Sequence, residues 1–155
     1  PGTITATIAK PFIGEEKADA KPSNTRKAAG EKCEAVSSLK ALSRLPAGNI
    51  LAPFDLGPAI LLTTPHKVLA SSHHRNRQGM KDHIDIFRLP PEQARPIMQR
   101  HYIAYLVACL GEAELKHYVR KSPTGLWAQI DAGNSPDWLE YQGVIGNGLK
   151  VWRVR

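Results

Sequence analysis

Three of the chain's six histidines, two arginines and two aspartates crowd into LASSHHRNRQGMKDHIDIF, Leu69 to Phe87. Imidazole and carboxylate in one stretch first raise metal ligation, which for zinc needs three convergent donors. Adjacent residues of extended chain point to opposite faces, so His73 and His74 make a poor chelating pair. His83 has no histidine three or four places away, only Asp82 and Asp85 nearby. A loop that hydrogen-bonds an anionic or hydroxylated ligand fits the composition better. Arg75 offers a planar fork, Asn76 both donors and acceptors, and Ser71 and Ser72 hydroxyls.

Other side chains with chemical potential stand apart from this loop. PFDLG carries Asp55, which can act as a general base or cap the helix that follows; capping is the simpler role. CLGEAE carries Cys109, Glu112 and Glu114. His66 ends a helix beside Pro65, where an imidazolium suits the helix dipole. Trp127 and Trp138 read as core or lid packing before they read as a sugar platform. The chain has no GxSxG, P-loop, GxGxxG or HExxH. No catalytic residue is therefore assigned, no metal site and no cofactor. The ligand-binding set is Asp55, Ser72, His73, His74, Arg75, Asn76 and Glu112.

What must position these residues is an α/β domain. CEAVSSLKALSRL sets Val36, Leu39, Leu42 and Leu45 on one helical face, and Pro46 to Gly48 end it. NILAP is a short apolar strand, and DLGPAILLTT leaves it into a short helix with Pro58 in the first turn. KVLAS is a second strand and feeds the histidine-rich loop. RQGMKDHIDIFRL and PPEQARPIMQRH are helices. YIAYLVACL, the most apolar run, is a central buried strand. EAELKHYVRKS and TGLWAQIDAG are short amphipathic helices. DWLEYQGVIGNGLKVWRVR is a hairpin turning at Gly146 to Gly148. This order predicts a three-layer, mostly parallel, Rossmann-like sheet of order about 2-1-3 with a C-terminal antiparallel hairpin. In such a sheet the loops at the strands' carboxyl ends share one edge, where ligands bind. The exits carrying Asp55, His73 and Cys109 should meet there, with the crevice between the first and third strands as the site. The helix holding Cys33 should start near the same edge. A Cys33–Cys109 disulfide is then feasible if the α-carbons come within about 7 Å. Two separate thiols in a reduced protein are the alternative, and spacing does not choose between them.

At 155 residues the chain can bury a core unaided. Residues 1–30 differ: EEKADAKPSNTRKAAGEK has almost no large apolar side chain and reads as a tether, although TITATIAKPFI has the alternation of an edge strand. Residues 31–155 are expected to form one α/β domain. A chain opening on Pro1 reads as a piece of a longer protein. No run of about 20 apolar residues appears. The net charge is +7, but its cations are scattered, which argues against specific nucleic-acid binding.

ILAPFDLGPAILLTTPHKVLASSHHRN resembles the soluble, extracytoplasmic C-terminal domain of bacterial multi-spanning membrane proteins of the lipid-linked glycosyltransferase type. The shared pattern is a strand, a D-x-G turn at Asp55 to Gly57, and a strand running into His73 to Asn76. An apolar strand ending in cysteine, Leu106 to Cys109, and the closing LKVWRV complete it. The likeness covers residues 33–155. A looser one links PFDLG to the WWDYG turn of the oligosaccharyltransferase catalytic subunit. Only the acid and glycine are kept, so acceptor-sequon recognition does not carry over. The resemblance implies an accessory or substrate-recognition domain facing the periplasm from a bacterial inner membrane. Its partners would be its own transmembrane domain and a lipid-linked sugar or glycan acceptor. Two other readings stay open: a free-standing small-anion (sugar-phosphate) binding module, and a metal-dependent hydrolase built on His73, His74 and Asp55.

Overall fold

The computed structural model describes residues 33–70 and 76–155. Residues 1–32, on which the expected tether falls, and Ser71, Ser72, His73, His74 and Arg75, on which the expected histidine-rich loop falls, lie outside the described residues. The chain enters through a short helix, α1 (Val36–Lys40), which tightens into a 3-10 turn over Ala41–Arg44. Leu39 and Leu42 are buried as the spacing predicts. Val36, expected on the same face, is instead exposed, because the helix stops at Lys40 and the 3-10 turn re-aims the stripe.

β1 (Asn49–Leu51) leads through a second 3-10 turn, Phe54–Leu56, into α2 (Gly57–Thr63), with Pro58 in its first turn. β2 (Lys67–Val68) follows, then α3 (Arg77–Arg88) and α4 (Pro91–Arg100). β3 (Ile103–Cys109) precedes α5 (Ala113–Lys121) and α6 (Leu126–Asp131), and β4 (Leu139–Ile145) and β5 (Leu149–Val154) close the chain.

The five strands form one sheet of order β2-β1-β3-β5-β4. The predicted 2-1-3 order is present, with β1 parallel to both β2 and β3. The prediction of a mostly parallel sheet is corrected. β5 pairs antiparallel with β3 over Tyr105–Cys109, and β4 pairs antiparallel with β5, so the sheet is half parallel and half antiparallel. The hairpin is not an appendage but supplies two of the five strands, and its inner strand closes the second side of β3.

That position explains the unbroken apolar run. Six of the seven β3 residues are buried because helices cover both faces. Leu106 and Ala108 face one core with Phe87, Met98, Leu115, Leu126 and Trp127 from α3 to α6. Tyr105, Val107 and Cys109 face the other with Leu39, Leu42, Leu56 and Ile60 from the α1–α2 side. The period-two alternation thus divides one strand between two cores.

Two polar devices lock the layers. Asp82 of α3, almost fully buried, accepts hydrogen bonds from Gln78 Nε2 at 2.8 Å, His101 Nε2 at 2.6 Å and Arg100 at 3.3 Å. Burial opposes its charge, but these donors prevail and hold the carboxyl below its usual range. His66 is also buried and corrects its expected role. Its Nδ1 accepts from the Gly48 N–H and its Nε2 bonds the Leu42 carbonyl, so the ring crosslinks the 3-10 turn to the start of β1 and does not cap a helix end.

Candidate functional site

Because β1 and β3 are parallel neighbours and β2 lies on the far side of β1, the chain reverses direction across the sheet between β1 and β3. That reversal, outside the carboxyl ends of the two strands, is where sheets of this kind form a ligand crevice. Its first wall is the Phe54–Leu56 turn after β1, which presents an exposed Asp55. Its second wall is the Leu110–Glu112 segment after β3, where Gly111 takes a positive φ of 89° that turns the chain away from the strand. Asp55 does not cap α2, which has no side-chain cap, and its charge lies near enough to Glu112 to act on that carboxyl.

Glu114, in the first turn of α5, ties the walls together. Its Oε1 accepts the Phe54 N–H at 2.7 Å, and its Oε2 accepts His83 Nε2 at 2.7 Å and Tyr118 Oη at 2.7 Å. Three elements therefore converge on one carboxylate. His83 is fully buried and stacks on Phe54 with ring centroids 3.8 Å apart. Its Nδ1 is buried with no partner among the described residues. Burial, with the charge and hydrogen bond of Glu114, pushes the Tyr118 hydroxyl far above its ordinary range, which keeps it a donor.

Glu112 stands at the mouth. Its Oε1 is buried without a hydrogen-bond partner among the described residues. Burial first, then repulsion from Glu34, Glu114 and Asp55, pushes its carboxyl up to about 8. At neutral pH Glu112 is mainly a protonated acid beside carboxylates, able to donate as well as accept. A carboxyl so displaced at a sheet edge has the electrostatics of a functional group.

Cys33 and Cys109 are joined, with α-carbons 5.9 Å apart, and the bond ties the start of the α1 segment to the end of β3. Of the two alternatives left by the sequence, the structure has the disulfide. Nearby, Ser38 Oγ accepts the Asn147 N–H at 2.9 Å, seating the β4–β5 turn on α1. Gly146 there has φ 61°, and a Cβ would stand 2.8 Å from the Ser38 Cα, so the close approach needs glycine.

The structure thus brings Asp55, Glu112 and the Cys109 end of β3 to one edge. Asn76 is exposed, and its side chain is engaged by its own surroundings: the oxygen accepts the Gly79 N–H and caps α3, and the amide donates to the Leu69 carbonyl. Ser72, His73, His74 and Arg75 lie outside the described residues. No group of three or more histidine, cysteine or acidic residues is placed to hold a metal among the described residues. Residue spacing did not single out His83 and Glu114 as partners. They are 31 positions apart, on different helices, and only the fold pairs them.

The fold has a known counterpart. It matches the crystal structure of the C-terminal globular domain of an oligosaccharyltransferase from Archaeoglobus fulgidus. The TM-score is 0.56, and the match covers 79% of this chain and 95% of that one. At 16% identity the likeness is one of fold. No protein-family model matches the chain, and no curated protein matches it in sequence.

Proposed function

We propose that this chain is an accessory or substrate-recognition domain of a membrane glycosyltransferase-like protein, held at an extracytoplasmic membrane face by a transmembrane region of its parent. One observation carries the reading: the chain reproduces nearly the whole of an oligosaccharyltransferase globular domain, 95% of its length. The Cys33–Cys109 disulfide supports it, since such bonds persist in oxidising compartments. No helix among the described residues is long and apolar enough to cross a membrane, so anchoring falls to other parts of the parent. The edge at Asp55, Glu112 and Glu114 is the surface offered to a lipid-linked sugar or glycan acceptor. The complete active site belongs to the membrane part.

Fractionation of source cells tests this reading. The native protein should stay with membranes through an alkaline carbonate wash. Its globular domain should be cut by protease added to the outer face of spheroplasts and protected in inverted vesicles. Recovery of the native protein in the soluble cytoplasmic fraction, with free thiols at Cys33 and Cys109, overturns the proposal.

A further inference from the structure

Beside the crevice, and separated from it by Glu112, an open cleft of about 480 Å³ lies between α5 and α6. That volume is in the range of small-molecule sites, about 300–1,000 Å³. Its interior is apolar, with Leu115, Val119 and Trp127 on the floor. Its rim is charged. Lys116 and Arg120, one helical turn apart on α5, stand on one side, and Asp131 at the end of α6 completes the rim. Neither cation has an ion-pair partner among the described residues, unlike Lys81, which pairs with Asp85.

Residues four apart on a helix lie about 6 Å from each other, the separation at which two cations can share one phosphate. Asp131 is a pure acceptor, suited to hydroxyl groups. An apolar floor suits the less polar face of a sugar ring; the half-buried Val119 presents it, and the buried Trp127 backs it from the core. We infer that the α5–α6 cleft binds a glycosyl phosphate, with the phosphate held by Lys116 and Arg120, the ring over Val119, and ring hydroxyls on Asp131. The inference goes beyond the membrane-domain reading and does not depend on it, because the cleft is built by this chain alone.

Nitrogen-15 NMR titration of the 155-residue chain tests the site. The probes are the 1-phosphates of glucose, galactose, mannose and N-acetylglucosamine, with the free sugars and inorganic phosphate as controls. At least one sugar phosphate should saturate below about 1 mM and shift Gly111, Lys116, Arg120 and the Trp127 indole. The matching free sugar and inorganic phosphate should each bind at least tenfold more weakly. The double variant Lys116→Gln/Arg120→Gln should lose at least tenfold in affinity, and Lys81→Gln should lose none. Both replaced side chains are exposed, so the variants should keep the wild-type spectrum elsewhere. A short-chain polyprenyl glycosyl phosphate, compared with the free sugar phosphate, separates a lipid-borne from a water-borne source; binding of either supports the cleft. Absence of saturable shifts there with all four sugar phosphates and with the polyprenyl glycosyl phosphate overturns the inference. So does inorganic phosphate that binds as well as the sugar phosphates, or a double variant that binds like wild type. Cell fractionation reads none of these outcomes, so the two proposals fail separately.

Discussion

Glu112 makes the site's electrostatics measurable. Its carboxyl is raised from 4.5 to about 8 by burial and by the acids around it. Between those values the folded protein binds a proton that the unfolded chain has released. Unfolding therefore becomes easier as pH rises through that window. At about 1.36 kcal/mol per pH unit the full span would be worth roughly 5 kcal/mol for a carboxyl sealed from water. Glu112 is only half-buried, and solvent screening cuts the expected contribution to roughly 1–2 kcal/mol. Glu112→Gln keeps the shape and removes the titration. Urea unfolding at pH 5, 7 and 9 should find variant and wild type about equal at pH 5. At pH 9 the variant should be more stable by about 1–2 kcal/mol, with the denaturant slope unchanged. Other titrating groups cancel in the difference between the two proteins. A difference that stays constant across the three pH values refutes the reasoning.

Three further outcomes follow from the packing. Glu114→Ala should cost about 2–4 kcal/mol, because it strands the buried His83 and Tyr118 donors, and Glu114→Gln should cost less; chemical denaturation reads both. Cys109→Ser should lower stability by about 2–4 kcal/mol, and reductant should lower the melting temperature of wild type but not of the variant. Asp82, held below its usual carboxylate range, stabilises the fold above pH 4 and ceases to as pH falls below that range. Asp82→Asn should cost roughly 1–3 kcal/mol at pH 7 and flatten the acid limb of the stability profile.

Much of the architecture was legible because it rests on local periodicity. The apolar run of β3, the turn glycines at 146 and 148, and the proline at the start of α2 each announce their element. The 2-1-3 order was a supposition that the third strand lies beside the first, away from the second, and the strand pairing has it so. The partner of the hairpin was not legible, since a hairpin's alternation does not say which strand edge receives it. β5 joins β3, and that pairing turns the expected parallel sheet into a mixed one. The placing of Asp55 and Glu112 at one edge was legible because acids after the ends of parallel strands fall on a shared edge. The His83–Glu114 bond was missed because its members belong to distant segments joined only by tertiary packing. The crosslinking role of His66 was missed for the same reason: the Gly48 N–H it accepts is 18 positions away.

The three hydrogen bonds converging on Glu114 also constrain how the crevice can work. One side chain holds the backbone after β1, a buried ring of α3 and a phenol of α5 in a single arrangement. Moving the backbone after β1 away from α5 would cost the Phe54 N–H bond and the stacking of Phe54 on His83, while the His83 and Tyr118 bonds would go on holding α3 against α5. The one joint at Phe54 therefore decides how far the β1 exit can shift when a partner arrives at this edge.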